Sequence, residues 1–107
     1  MSNNVEIIHN YKNNTITAKN NNNNDIVNIF LETSSIYYNN ISITENIYYE
    51  TMNPSKINIL ILLRKYIFDN KYTLKNYDNI ISSLRRLTGG IYDNNLYMNY
   101  SIIHIYE

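Results

Sequence analysis

Few side chains in this sequence can make or break bonds. The chain has two histidines, His9 and His104, near its opposite ends, no cysteine, and singly scattered carboxylates. An imidazole pair can hold a metal or pass a proton, but no Asp or Glu lies at ligand-like spacing from either histidine. Both fall in predicted strands, and they meet only if the terminal hairpins pair. The simpler reading is of strand histidines at a sheet surface or satisfied in the core. Ser82 and Ser83 sit inside an amphipathic helical stretch with no base beside them, so nothing activates a hydroxyl there. Gly89 and Gly90 lack the strand, loop and helix order of a phosphate-binding turn and read as a helix stop. This inventory specifies no enzyme, no metal and no cofactor.

Charge and aromatic patterning point to binding instead. Formal net charge is zero, yet residues 54 to 90 carry seven Lys and Arg against two Asp, and residues 1 to 53 carry two Lys against five carboxylates. A basic helical half therefore faces acidic β segments, either as a nucleic-acid surface or as a solvated helix face balanced within the molecule. Tyr37, Tyr38, Tyr48, Tyr49, Tyr97, Tyr100 and Tyr106, seven of the twelve tyrosines, lie in predicted strands. Alternation must turn some of them outward, where Tyr gives contact area at low entropy cost.

Length and composition bound the answer further. A chain of 107 residues reads as one domain, able to bury roughly two-thirds of its unfolded surface without disulfides. Absent cysteine favours a reducing compartment. The longest apolar run, Ile59 to Leu63, is far below the ~18 residues of a membrane span. The opening M-S-N-N-V-E-I-I-H-N lacks the basic start and apolar core of a signal peptide. The expectation is an intracellular protein, cytoplasmic in a host cell, with no membrane association. Asn, Ile, Tyr and Lys, all encoded by AT-rich codons, dominate the composition and suggest a virus or mobile element of AT-rich genome. Asn20 to Asn24 is accordingly a drifted polar loop, too short to stack as an assembly tract.

The elements that must position these residues are organised around 54–69. Asn53 can cap a helix, Pro54 fits its first position, and apolar residues then fall on nearly every side, as in a central buried helix. Residues 5–19 predict a β-hairpin turning at Lys12-Asn13-Asn14, with Val5, Ile7, His9 and Tyr11 on one face and Ile16 and Ala18 on the return strand. Beyond the Asn loop 20–24, Asp25 as a cap and Ile26, Ile29, Phe30 and Thr33 on one side predict a short helix over 25–33. Residues 35–51 alternate as strands turning at Asn39-Asn40, with Glu45 breaking the apolar face. A second helix spans 74–88: Thr73 at its start, Leu74, Tyr77, Ile80, Ile81, Leu84 and Leu87 on one face, and Arg85, Arg86 and the glycines at its end. Residues 91–106 predict a third hairpin turning at Asp93-Asn94-Asn95. The fold class is α+β, a single small domain of antiparallel β-hairpins packed against two or three α-helices.

Two functions of different class fit this frame. The first is a small non-enzymatic interaction protein that binds and masks a host protein or nucleoprotein, as host-defence inhibitors such as anti-CRISPR proteins do. Its preferred contact surface is the acidic strand with Glu45, Tyr48, Tyr49 and Glu50. The second rests on Leu74 to Thr88, Gly89-Gly90 and the 91–106 hairpin, which resemble the recognition helix and wing of a winged helix-turn-helix, as in plasmid replication initiators. That resemblance implies that Lys75, Asn76 and Asn79 face bases and that Arg85 and Arg86 meet phosphates. It covers the last half of the chain, and 70–73 leaves no room for the helix that usually precedes recognition. The sequence leaves homodimerisation open.

Overall fold

Alternation of side chains governs the N-terminal part of the fold. The structure is a computed structural model, and it describes residues 5–44, 54–89 and 101–105, with the backbone alone for 54, 55 and 101–105. Strands β1 (Val5–Asn10) and β2 (Thr15–Asn20) pair antiparallel with Val5 opposite Asn20 and Asn10 opposite Thr15. Their turn is built by asparagines. Asn10 Oδ1 accepts the Asn13 N–H at 2.9 Å, and Asn14 takes φ 53°, a conformation Asn tolerates better than most residues.

The predicted helix over 25–33 is instead strand β3 (Ile26–Phe30), followed by a turn through Ser34. Its run of Ile26, Val27, Ile29 and Phe30 satisfies helical spacing, but Ile and Val are β-branched and β2 offers a ready partner. Pairing with β2 aligns Val27 with Ala18 and Ile29 with Ile16, and all four are fully buried. Asp25 caps no helix; its N–H donates to Asn23 Oδ1 at 2.9 Å, and its carbonyl accepts from Asn20 N at 2.8 Å.

Strand β4 (Ser35–Tyr38) returns along β3 and turns at Asn39-Asn40 into β5 (Ile41–Ser42), as predicted. Both asparagines have positive φ, 48° and 69°, the geometry of a tight hairpin turn matched to strand twist. Beyond β5, Ile43 N donates to Ile36 O at 2.9 Å, and the Thr44 hydroxyl accepts from Ile36 N at 2.8 Å and donates to Ile36 O at 3.2 Å. Residues 45–53 lie outside the described residues, and with them the Asn53 cap and the rest of the predicted 35–51 strands.

Helix α1 (Pro54–Asp69) has the predicted limits. Its centre, Ile59 to Leu63 with Tyr66 and Ile67, is buried on every side, while Phe68 is half exposed at the helix end. Helix α2 (Tyr77–Thr88) starts three residues later than predicted. A 3₁₀ turn, Lys71–Thr73, intervenes, Leu74 is extended, and the Thr73 hydroxyl donates to Asn70 O at 3.0 Å, so Thr73 does not cap α2. The predicted apolar face holds, with Leu74, Ile80, Ile81, Leu84 and Leu87 buried and Tyr77 packed against them. Arg64 Nη1 donates to Thr88 Oγ1 at 3.2 Å and ties the two helices together.

The last described strand, β6 (Ser101–Ile105), runs parallel to β1, giving the order β5-β4-β3-β2-β1-β6. The partner of 101–105 is thus a strand some ninety residues earlier, reached in parallel; 91–100 and 106, the rest of the predicted 91–106 hairpin, lie outside the described residues. The inner face of the sheet carries Val5, Ile7 and His9 from β1, Ile16, Ala18 and Asn20 from β2, Val27 and Ile29 from β3, and Ile36 from β4. Both helices pack on that face, and the domain is α+β.

Candidate interaction surface

The second face of the sheet is set by the same alternation. Register places Ile8, Thr17, Asn28, Tyr37 and Ser42 in one row across β1 to β5, and Asn10, Thr15, Phe30 and Ser35 in the next. No described helix covers these rows. Phe30 is 38% exposed, and its ring meets that of Tyr37 edge to face, centroids 5.5 Å apart at 70°. Beside them the Thr17 hydroxyl donates to Asn28 Oδ1 at 2.7 Å, which sets the orientation of that carboxamide. Asn28, Phe30, Tyr37 and Asn40 line an open pocket of about 300 Å³. Its chemistry is flat aromatic surface and carboxamide hydrogen bonding, which suits adhesion to a planar group.

Tyr38, one residue on, points to the inner face and packs against the core. Burial, and then its hydrogen bond to the Asp25 carboxylate, push its hydroxyl up to about 12. Lys56 Nζ lies 4.8 Å from the centre of its ring. Neighbouring tyrosines thus have different places: Tyr37 lies on the outer face against Phe30, and Tyr38 fastens the β3–β4 hairpin to α1.

The residues singled out from sequence are distributed differently from either expectation. Glu45, Tyr48, Tyr49 and Glu50 lie outside the described residues. Lys75 and Asn76 precede α2 and are engaged with the turn after β3. Lys75 Nζ pairs with Glu32 at 2.9 Å, and Asn76 Nδ2 donates to the carbonyls of Leu31 at 2.5 Å and Glu32 at 3.1 Å. Asn79 and Arg85 are exposed on α2 beside Asp78. Arg86 reaches Ser83 Oγ at 3.1 Å and the Thr44 carbonyl at 3.5 Å. Of the five, Asn79, Arg85 and Arg86 share a solvent-facing side of the helix, and Lys75 and Asn76 stand apart from it.

The histidines do come together in the backbone, since β1 and β6 place His9 and His104 at directly paired positions. His9 itself is buried, stacked on Tyr11 at 4.0 Å, with a 2.5 Å hydrogen bond between its Nδ1 and the Tyr66 hydroxyl. Ser83 is buried and Ser82 exposed, each on α2, and Gly89 ends the helix at φ 60°.

Sequence reasoning reached Tyr37 through strand alternation but missed Asn28, Phe30 and Asn40. Assigning 25–33 to a helix put Phe30 on an inner face with Ile26 and Ile29; the detectable signal was the β-branched run between two asparagine-rich turns. No family profile, curated protein or solved structure matches the chain. Among the described residues no helix is long and apolar enough to cross a membrane.

Proposed function

We propose that this chain is a small interaction protein, encoded by a virus or mobile element of AT-rich genome, that binds and masks a host protein or nucleoprotein. Inhibition of a host defence, as by anti-CRISPR proteins, is the class of activity it fits. The observation that carries this reading is the sheet face that no described helix covers, with Phe30 and Tyr37 side by side on it. Aromatic side chains on a rigid sheet lose little entropy on binding and are enriched where partners dock. The Tyr48 and Tyr49 region adds a second candidate contact.

The test is capture of a partner from host lysate by the immobilised protein, compared with a Phe30→Lys/Tyr37→Lys double variant of unchanged circular dichroism. Capture by the parent and not by the variant supports the reading. Equal capture by both moves the contact elsewhere, first to Tyr48 and Tyr49. Absence of any partner, together with salt-dependent binding of duplex DNA that Arg85→Ala and Arg86→Ala weaken, supports the winged-helix alternative instead.

A further inference from the structure

We infer that the pocket on the open sheet face is a receptor for an unpaired nucleobase, so that the partner masked is a nucleoprotein contacted partly through its single-stranded nucleic acid; this rests on the masking function proposed above. The pocket combines the two things a base requires. The first is flat aromatic surface. Phe30 and Tyr37 meet edge to face at 70°, an arrangement that occupies less ring surface than mutual stacking and leaves area for a third planar group. The second is a hydrogen-bonding edge. Asn28 and Asn40 both line the same opening of about 300 Å³, and an asparagine carboxamide carries a donor and an acceptor side by side, the pattern that matches the N6 and N7 groups of adenine.

The surroundings fit the same ligand. Thr17 holds the Asn28 carboxamide through its 2.7 Å hydrogen bond, so the polar edge is oriented before any ligand arrives. Lys19 stands exposed on the same face, between Glu6 on β1 and Ile26 on β3 and one row from Asn28, where its ammonium can reach past Glu6 to a neighbouring phosphate. A partner's aromatic side chain would use the rings but not the asparagines that line the opening, which is why the base is favoured. Sequence recognition of single strands generally combines these two elements: stacking on aromatics and hydrogen bonds to the base edge.

The experiment is a fluorescence or NMR titration of the full chain with AMP, oligoadenylate and oligouridylate of five nucleotides. Oligoadenylate is expected to bind more tightly than oligouridylate, and more tightly than AMP because Lys19 adds a phosphate contact. Phe30→Leu and Tyr37→Leu keep apolar bulk and remove the π-surface, and each is expected to weaken oligoadenylate binding roughly 5- to 150-fold. Asn28→Leu is expected to abolish the preference for adenine. Saturable binding that these variants leave unchanged, or no binding at millimolar oligonucleotide, overturns the inference. Nuclease treatment during lysate capture separates the two levels: capture that survives nuclease and still needs Phe30 and Tyr37 leaves the masking function intact and removes the nucleobase.

Discussion

His9 on β1 and Tyr66 on α1 share a hydrogen bond of 2.5 Å across the interior, the imidazole lying between the Tyr11 ring stacked at 4.0 Å and the Tyr66 ring edge-on at 5.7 Å. It is a polar fastening between the sheet and the central helix in a mainly apolar layer. A buried imidazole needs partners of this kind, because burying a polar group without them costs more than the bond itself returns. Tyr66→Phe removes the hydroxyl and almost nothing else. The expected loss is about 1–3 kcal/mol in urea unfolding, with the slope unchanged; an unaltered midpoint would mean that the hydroxyl adds nothing to the fastening.

Asn76 provides a second test because backbone strain and side-chain bonding coincide in it. It sits at φ 60°, ψ 30°, and its amide reaches the Leu31 and Glu32 carbonyls. Asn76→Gly loses the hydrogen bonds but is at ease in the left-handed region, whereas Asn76→Ala loses the bonds and is strained as well. The alanine variant should therefore be less stable than the glycine variant by about 1 kcal/mol, measured by denaturant unfolding. The adjacent Lys75–Glu32 pair has side chains 59% and 55% exposed, so Lys75→Ala should change stability far less than either Asn76 variant. Equal effects at Lys75 and Asn76 would show that the turn is held by charge.

What sequence could reveal followed the range of the forces involved. Helix α1 was readable to the residue because Pro54 marks its start and its apolar run has only one use. The Asn39-Asn40 turn was readable because two consecutive left-handed residues suit Asn. Strand β3 was not, since a five-residue segment with four apolar side chains fits helix and strand equally until β2 supplies the partner that decides. The β1–β6 pairing was hidden for a stronger reason: nothing local to 101–105 specifies a parallel partner near the N-terminus. The candidate site inherited both difficulties. Tyr37 emerged from alternation alone, while Phe30 and Asn28 needed the correct identity of β3 before they could be seen to share its face.

Leu62 tests the reading of α1 as scaffold. It is fully buried between neighbours that are themselves buried, Ile61 and Leu63. Leu62→Ala should cost about 2–5 kcal/mol, the transfer and cavity terms together. Leu62→Asp places an unpaired carboxylate at the same point and should abolish cooperative unfolding altogether. Circular dichroism and thermal melts would show this. A Leu62→Asp chain that melts cooperatively but binds no partner would mean that α1 carries the function directly.

Tyr38 gives the pH dependence. Its hydroxyl is held up to about 12 in the fold, first by burial and then by the Asp25 carboxylate that accepts its hydrogen bond, against about 10 for an unfolded tyrosine. Between those values the folded chain keeps a proton that the unfolded chain releases, so stability falls as pH rises; below about 10 the contribution is present in full. Other tyrosines and lysines titrate in the same window, and the difference between the parent and Tyr38→Phe isolates this one. That difference should be constant up to about pH 9.5 and then shrink through pH 10 to 12. Asp25→Asn weakens one of the two causes and should narrow the window from its upper end. A difference that stays flat from pH 9 to 12 would mean that the Tyr38 proton is not held by the fold, and that the Asp25 contact does not fasten the β3–β4 hairpin.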